Sequence, residues 1–266
     1  MQEVEFQIWK GAAVALAFAV AVAPQWRLPL EHKPRLIIKN WRLNLPLAML
    51  NTMALGTICG GCACTVSIYA QRHGLGLCNM VGVGALSGAI IGLFVLDLTA
   101  YAWHVANHRL AILWLFHSVH HSDEIFDAST AVRFHPGELL VSLVVRLIVV
   151  AVFGIPVIGV LAFEVISAFL NFFEHGNISL PHAVNRLMSR AFVTPQLHRF
   201  HHAGISEHLS TNFATIFSFW DRIFGTYATG TAGVGYKVGL PYPAPWTSTF
   251  MGVLKHPFLI ARHPRS

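Results

Sequence analysis

Charge is what this chain has least of. Only 11% of its 266 residues are Asp, Glu, Lys or Arg, against 55% hydrophobic, where an ordinary soluble domain carries roughly a quarter charged. That deficit excludes a water-soluble globule with a normally polar surface. Cysteine is scarce as well. There are four, three of them in "CGGCAC" (Cys59, Cys62, Cys64), so no secreted disulfide framework is implied. An isolated Cys-x-x-Cys deep in an apolar run has no partner ligands for zinc, and reads as close helix packing through small residues. No G-x-G-x-x-G follows a strand pattern, and Cys-x-x-Cys-His and His-Glu-x-x-His are both absent. Those absences remove the signatures of bound flavin or nicotinamide, attached haem and a zinc metalloprotease. Low-complexity segments and Gly/Ser linkers are also missing, so one membrane-embedded domain, 1–266, is the economical count.

What is present is long apolar sequence. Residues 45–70 and 79–96 carry no charge, and each meets the roughly 20 apolar residues that a bilayer-spanning helix needs. The first apolar run is shorter and ends in "AVAVAP", which resembles a signal-peptide cleavage site. However, Glu3 and Glu5 precede a single Lys10, whereas a secretory leader starts positive. A retained first helix is the better reading. A further region, 137–173, is long enough for two crossings, with Gly154 and Pro156 offering a break. The expected spans are about 9–23, 45–70 and 79–103, followed by a hairpin over 137–173.

Arg27, Lys33, Arg35, Lys39 and Arg42, against one acid, Glu31, separate the first two spans, while 71–78 offers only Arg72. The positive-inside rule places 24–44 in the cytoplasm. Counting crossings brings the ends of the third span and of the hairpin to the same side, together with Lys255, Arg262 and Arg265. The net charge of +6 fits a basic face against anionic lipid head groups; nucleic acid is not required.

The chain has sixteen histidines, and eight of them form three groups on that face. His104 and His108 stand at i, i+4; His117, His120 and His121 occupy i, i+3, i+4, and His198, His201 and His202 repeat that spacing. Such residues share a helix face, with Cβ atoms roughly 5–6 Å apart. A lone histidine is usually a satisfied core or surface residue, but eight in three matched groups would leave many imidazole nitrogens without donors. A metal cation accepts those lone pairs. Imidazole suits iron, zinc, copper or nickel, and eight ligands exceed what one ion needs, so two metals are expected.

Residues that hydrogen-bond ligating histidines are usually carboxylates, carbonyls or amides. Asp97, Asp123, Glu138, Asn171 and Asn212 are placed to serve, Asp97 best of all. His135 is a possible ligand, with a supporting or interfacial role preferred. His32, His73, His182, His208, His256 and His263 read as surface or interfacial residues. "WDRIFGTY" (220–227) is expected to close the cap through Trp220 and an Asp221/Arg222 pair.

In order, "DLTAYAWHVANH", "LWLFHSVHHSDE", "RFHPGE", "FFEHGN", "TPQLHRFHH" and "FSFWDRIFGTY" resemble the fatty acid hydroxylase/sterol desaturase superfamily of membrane di-iron enzymes, from about Asp97 to Tyr227. The resemblance implies an all-α fold of multi-pass transmembrane helices, with a cytosolic cap (about 104–136 and 174–250) carrying a histidine-bound dimetal site. It adds His175 as a ninth ligand. Where relatives often have His-x-x-x-His, this chain has Asn171 before His175, and Asn171 is expected to ligate weakly, bind a metal-held water or support its neighbours. The implied cofactors are two iron ions, replaceable by zinc, with O2 as co-substrate. The implied partners are a membrane lipid and an external electron donor, a reductase with a ferredoxin or b-type cytochrome.

The expected reaction is O2-dependent hydroxylation or desaturation of a fatty acyl, sterol or related lipid, with no acid–base residue separate from the ligands. The bacterial inner membrane is favoured over endoplasmic reticulum. Rival readings are a zinc-dependent membrane hydrolase, which needs only three protein ligands and an open position, and a metal transporter, which would want ionisable residues at mid-span.

Overall fold

A computed structural model describes residues 2–59, 61–230 and 233–261. Arg262, His263, Arg265 and the side chain of Cys59 lie outside what it describes. The chain is helical, with no strand among the described residues, only isolated bridges such as Phe192 with Phe217. Its helices are α1 Gln2–Arg27, α2 Pro34–Cys59, α3 Cys62–Arg72, α4 Leu77–Met80, α5 Ala85–Arg109, α6 Ala111–His121, α7 Pro136–Phe153, α8 Val157–Glu174, α9 His182–Met188, α10 Pro195–His201, α11 Phe219–Ile223 and α12 Phe250–Ile260.

Among the described residues, α5, α7 and α8 are long and apolar enough to cross a membrane. With that composition, the chain is a membrane protein. The side of α7 away from the core exposes Leu140, Val141, Val144, Ile148 and Val152, an apolar stripe at helical spacing that suits lipid rather than water. The break between α7 and α8 has a local cause. Gly154 adopts the left-handed conformation (φ 62°) that ends α7, and the fixed φ of Pro156 starts α8.

Residues 45–70 are not one helix. The chain breaks between Cys59 and Cys62, where Gly61 has φ 79°, a conformation that costs glycine little and other residues more. Residues 34–44, expected to lie between the first two spans, form the first turns of α2. Their polar side chains explain this, because they are anchored in the cap. Asn40 donates to the Asp123 and Asp127 carboxylates at 3.0 and 2.8 Å, and Asn44 donates to Asp123 Oδ2 at 3.0 Å.

The main core lies between α3, α5, α7 and α8 and contains Ala63, Cys64, Leu96, Val150, Ile155, Val160, Phe163 and Leu170. At Gly159 of α8 an added Cβ would lie 2.9 Å from the Cα of Ala89 on α5, so only hydrogen fits where these two helices touch. Cys64 packs in this core.

One surface assignment fails. His256 on α12 is fully buried. Trp246 Nε1 donates to its Nδ1 at 2.9 Å, so the ring's single proton is on Nε2, donated to Ser118 Oγ at 2.9 Å. Burial, then the Arg133 charge, lowers its pKa to about 4. Between the unfolded value of about 6.5 and about 4 the unfolded chain binds a proton that the folded one excludes. Stability from this site should therefore be complete above pH 6.5 and decline as pH falls towards 4. Thermal unfolding of metal-loaded protein should show that decline, and a non-titrating His256→Asn variant should show a shallower one. Equal slopes would contradict it.

Candidate metal centre

Four segments bring nine histidines together. The C-terminal end of α5 carries His104 and His108, α6 carries His117, His120 and His121, His175 caps α8, and α10 with its cap residue carries His198, His201 and His202. Thr194 starts α10 by accepting from Leu197 N at 3.4 Å, with Pro195 in the first turn, a sequence-legible helix start.

Two quartets result, His104/His108/His121/His201 and His120/His175/His198/His202, each with ligand atoms within 4.8 Å of one another. His117 belongs to neither. Its ring lies between them, 4.9–5.4 Å from those of His104, His108, His120 and His121.

Backbone carbonyls fix the tautomers. A carbonyl can only accept, so His104 Nδ1–H donates to Phe213 O (2.8 Å), His201 Nδ1–H to Thr211 O (2.6 Å) and His175 Nδ1–H to Asn171 O (2.7 Å). Each Nε2 is then a lone pair. Yet His104 Nε2 and His201 Nε2 are only 3.0 Å apart. Two acceptors cannot hydrogen-bond each other, but both can point their lone pairs at one shared cation.

Other buried nitrogens lack partners, among them His108 Nε2, His117 Nε2 and both of His121. Glu174 is fully buried beside them. Neither of its carboxylate oxygens is hydrogen-bonded, and Oε1 stands 3.9 Å from His175 Nδ1 and His198 Nε2. A buried carboxylate needs positive charge nearby. The donor set fits a metal ion in each quartet. Burial above all, then neighbouring imidazoles, holds His120, His121, His198 and His202 well below the usual histidine pKa. Burial lowers His175 and His201 to about 3 despite their carbonyl bonds. These rings are neutral at pH 7, the form that binds metal.

The expected supporting residues act differently. Asp97 accepts from Ile216 N (3.1 Å), Phe217 N (3.2 Å) and Trp220 Nε1 (2.8 Å) rather than from a histidine. Asp221 accepts from Phe213 N and Ala214 N at 2.7 and 3.1 Å. Together these acids hold the loop whose carbonyls, at Thr211 and Phe213, receive His201 and His104. Asp221 does not pair with Arg222, which donates to Ser189 O at 2.6 Å and lies 3.8 Å from the Tyr227 ring centre. Asp123 ties α2 to the cap.

Both nitrogens of His135 are used, Nδ1 accepting from Gly137 N and Nε2 donating to Leu254 O, so it is neither ligand nor histidine partner. Asn212 staples Leu197 O and Ala228, at φ 54°. The Asn171 side chain turns to Ala131 O (3.1 Å); its backbone carbonyl, not its amide, holds His175. The carboxylate that does grip a histidine is Glu138, 2.8 Å from His117 Nδ1, with Asn107 donating to the same oxygen at 3.1 Å. Sequence reasoning missed Asn107 and Glu174, although Glu174 directly precedes His175.

Above the histidines, a cavity of about 370 Å3 runs between α5, α7 and α8, lined by His104, His117, His120, His175 and His198 at one end. Such a volume suits a small-molecule ligand.

The sequence profile for fatty acid hydroxylase matches residues 89–226, the stretch that supplies all nine histidines and the cavity walls. The chain belongs to the fatty acid hydroxylase family. Curated relatives include an ornithine lipid hydroxylase of Rhizobium tropici, 28% identical over 138 residues, 52% of this chain and 41% of that protein. An alkylglycerol monooxygenase of Danio rerio is 31% identical over 175 residues, 62% of this chain and 36% of the relative. A cholesterol 25-hydroxylase of Homo sapiens is 27% identical over 141 residues, 52% of this chain and 50% of the relative. The chain thus spans half or less of these relatives' lengths. No solved structure matches it.

Proposed function

We propose that this fatty acid hydroxylase family member is an O2-dependent di-iron oxygenase acting on a C–H bond of a membrane lipid. The observation that carries the reading is the facing pair of lone-pair nitrogens, His104 Nε2 and His201 Nε2, with His104 also lining one end of a cavity between three apolar helices. His104, His108, His121 and His201 would hold one iron, and His120, His175, His198 and His202 the other. His117, oriented by Glu138, would complete the set from between them. Bound iron supplies the reduction of O2 to a species able to take hydrogen from an unactivated carbon.

The chain's own residues position the reaction. The carbonyls of Phe213, Thr211 and Asn171 orient the rings, α5, α7 and α8 guide the lipid, and burial of the centre keeps water out. Hydroxylation consumes O2, two electrons and two protons, and yields the alcohol and water. The electrons come from an external reductase through a ferredoxin or b-type cytochrome on the cytosolic side. The hydroxylase and monooxygenase names of the relatives favour hydroxylation over desaturation.

Zinc hydrolysis is not supported. A catalytic zinc site uses three protein ligands and an open position, whereas each quartet gathers four imidazoles, and the relatives are hydroxylases and monooxygenases. The test compares lipids from cells with and without the protein under 18O2, alongside metal analysis of the active enzyme. A lipid gaining one labelled oxygen, with two irons per chain, is expected. Hydrolysed lipid, or one ion or none per chain in active enzyme, overturns the reading.

A further inference from the structure

The same cavity holds an ion pair that the histidine centre does not use. Arg146 on α7 and Glu164 on α8 both line it. Each is ten residues from the histidine end of its helix, from Pro136 and from Glu174. At 1.5 Å per residue that is about 15 Å, the middle of each 18-residue apolar helix. Ionisable residues are costly at that depth, and where they occur they usually mark a functional site.

The geometry is not that of a closed structural bridge. Nη1 and Oε1 are 3.7 Å apart, with side chains 35% and 12% exposed. A direct charged hydrogen bond would be about 2.7–2.9 Å. The guanidinium also lies 5.7 Å from the Phe163 ring centre, which fixes it beside the cavity. An oxygen about 2.8 Å from both atoms, an ordinary hydrogen-bond length, would fit that gap.

We propose that Arg146 and Glu164 form a subsite for an uncharged hydroxyl at one end of the lipid. The proposal rests on the lipid-oxygenase reading and names the substrate class, a neutral hydroxylated lipid. The pair is charge-compensated. A carboxylate or phosphate would gain Arg146 but face Glu164, and an ammonium would meet the reverse. A hydroxyl uses both, accepting from the guanidinium and donating to the carboxylate.

The subsite also sets a ruler. Eight residues of α7 separate Arg146 from Glu138, and ten of α8 separate Glu164 from Glu174, about 12 and 15 Å of helix. The lipid is therefore held with its hydroxyl at mid-membrane, and the carbon presented to the histidines lies roughly 12–15 Å from that oxygen.

The test is binding to the purified, metal-loaded, unreduced enzyme in nanodiscs, so that turnover is not needed. The probes are 1-hexadecanol, cholesterol, the methyl ether of each, and palmitate. At least one alcohol should bind tenfold or more tightly than both its methyl ether and palmitate. In the Arg146→Met/Glu164→Leu double variant, whose apolar pair often replaces a buried ion pair without loss of folding, that alcohol and its ether should bind within about twofold.

Glu164→Gln, nearly isosteric, should raise palmitate affinity at least tenfold, because the Arg146 charge is then unopposed; it also carries the test if the double variant does not fold. A merely structural pair would not produce that gain. A wild-type protein that prefers palmitate, or does not separate alcohol from ether, overturns the proposal, as does a preference surviving in the double variant or no palmitate gain in Glu164→Gln. Alcohol preference without any lipid oxidation would instead sink the oxygenase reading and leave the subsite standing.

Discussion

His175→Ala should cut turnover by at least about a thousandfold and lower metal content from two ions towards one. The ring's Nε2 is within 3.1 Å of His120 Nε2 and 2.9 Å of His198 Nε2, so it stands at the centre of its quartet. Its Nδ1–H is committed to the Asn171 carbonyl, which leaves one nitrogen, aimed inward. Removing it takes away a metal–imidazole bond and leaves a cavity in a fully buried cluster. Asn171→Ala should behave differently. It deletes the side-chain bond to Ala131 O but keeps the backbone carbonyl that orients His175. Losses from removing a ligand's hydrogen-bond partner run to about 10–100-fold, and this variant should stay below tenfold because that partner remains. Metal stoichiometry and turnover in one membrane preparation check both. Two metals and near-normal turnover in His175→Ala would remove it from the ligand set.

Glu174→Gln should change sign with metal loading. In metal-free protein an ionisable carboxylate with both oxygens unbonded, in a fully buried position, is a burden on folding. Replacing it with a neutral amide should raise the thermal midpoint, by several degrees for a gain of about 1–2 kcal/mol. With metal bound, the carboxylate 3.9 Å from His175 and His198 offsets the cation's charge, and its loss should weaken metal retention by about 10–100-fold. Thermal unfolding with and without chelator, paired with metal titration, reads both signs. A variant less stable without metal, or one that retains metal as tightly as wild type, defeats this account.

The histidine constellation was legible because ligands need fixed spacing on rigid elements. The spacings of His104/His108, of His117/His120/His121 and of His198/His201/His202 put each group on one helix face, and the expected dimetal arithmetic meets two quartets. Family membership and a mostly helical membrane fold follow from the same local regularities. The partners of those histidines were far less legible. Asp97, Asp123, His135 and Asn212 are polar residues near the motifs in sequence, but proximity along the chain does not say which atom a side chain reaches. Asp97 reaches a loop some 120 residues away. The groups that orient His104, His201 and His175 are carbonyls, invisible to residue type.

By itself the sequence determined the long apolar helices α5, α7 and α8 and the helix-face spacing of three histidine groups, since apolar length and 3.6-residue periodicity are local properties. The expected span over 45–70, by contrast, is broken at Gly61. Tertiary structure decided the rest. The packing of α5, α6, α8 and α10 sorted nine imidazoles into two quartets with His117 between them. Folding of the cap over α12 buried His256, which reads as interfacial from composition. The placing of α7 and α8 on two sides of one cavity set Arg146 beside Glu164, within a space that reaches the histidines. Such pairings depend on which helix faces meet, a long-range outcome of packing that no local pattern encodes.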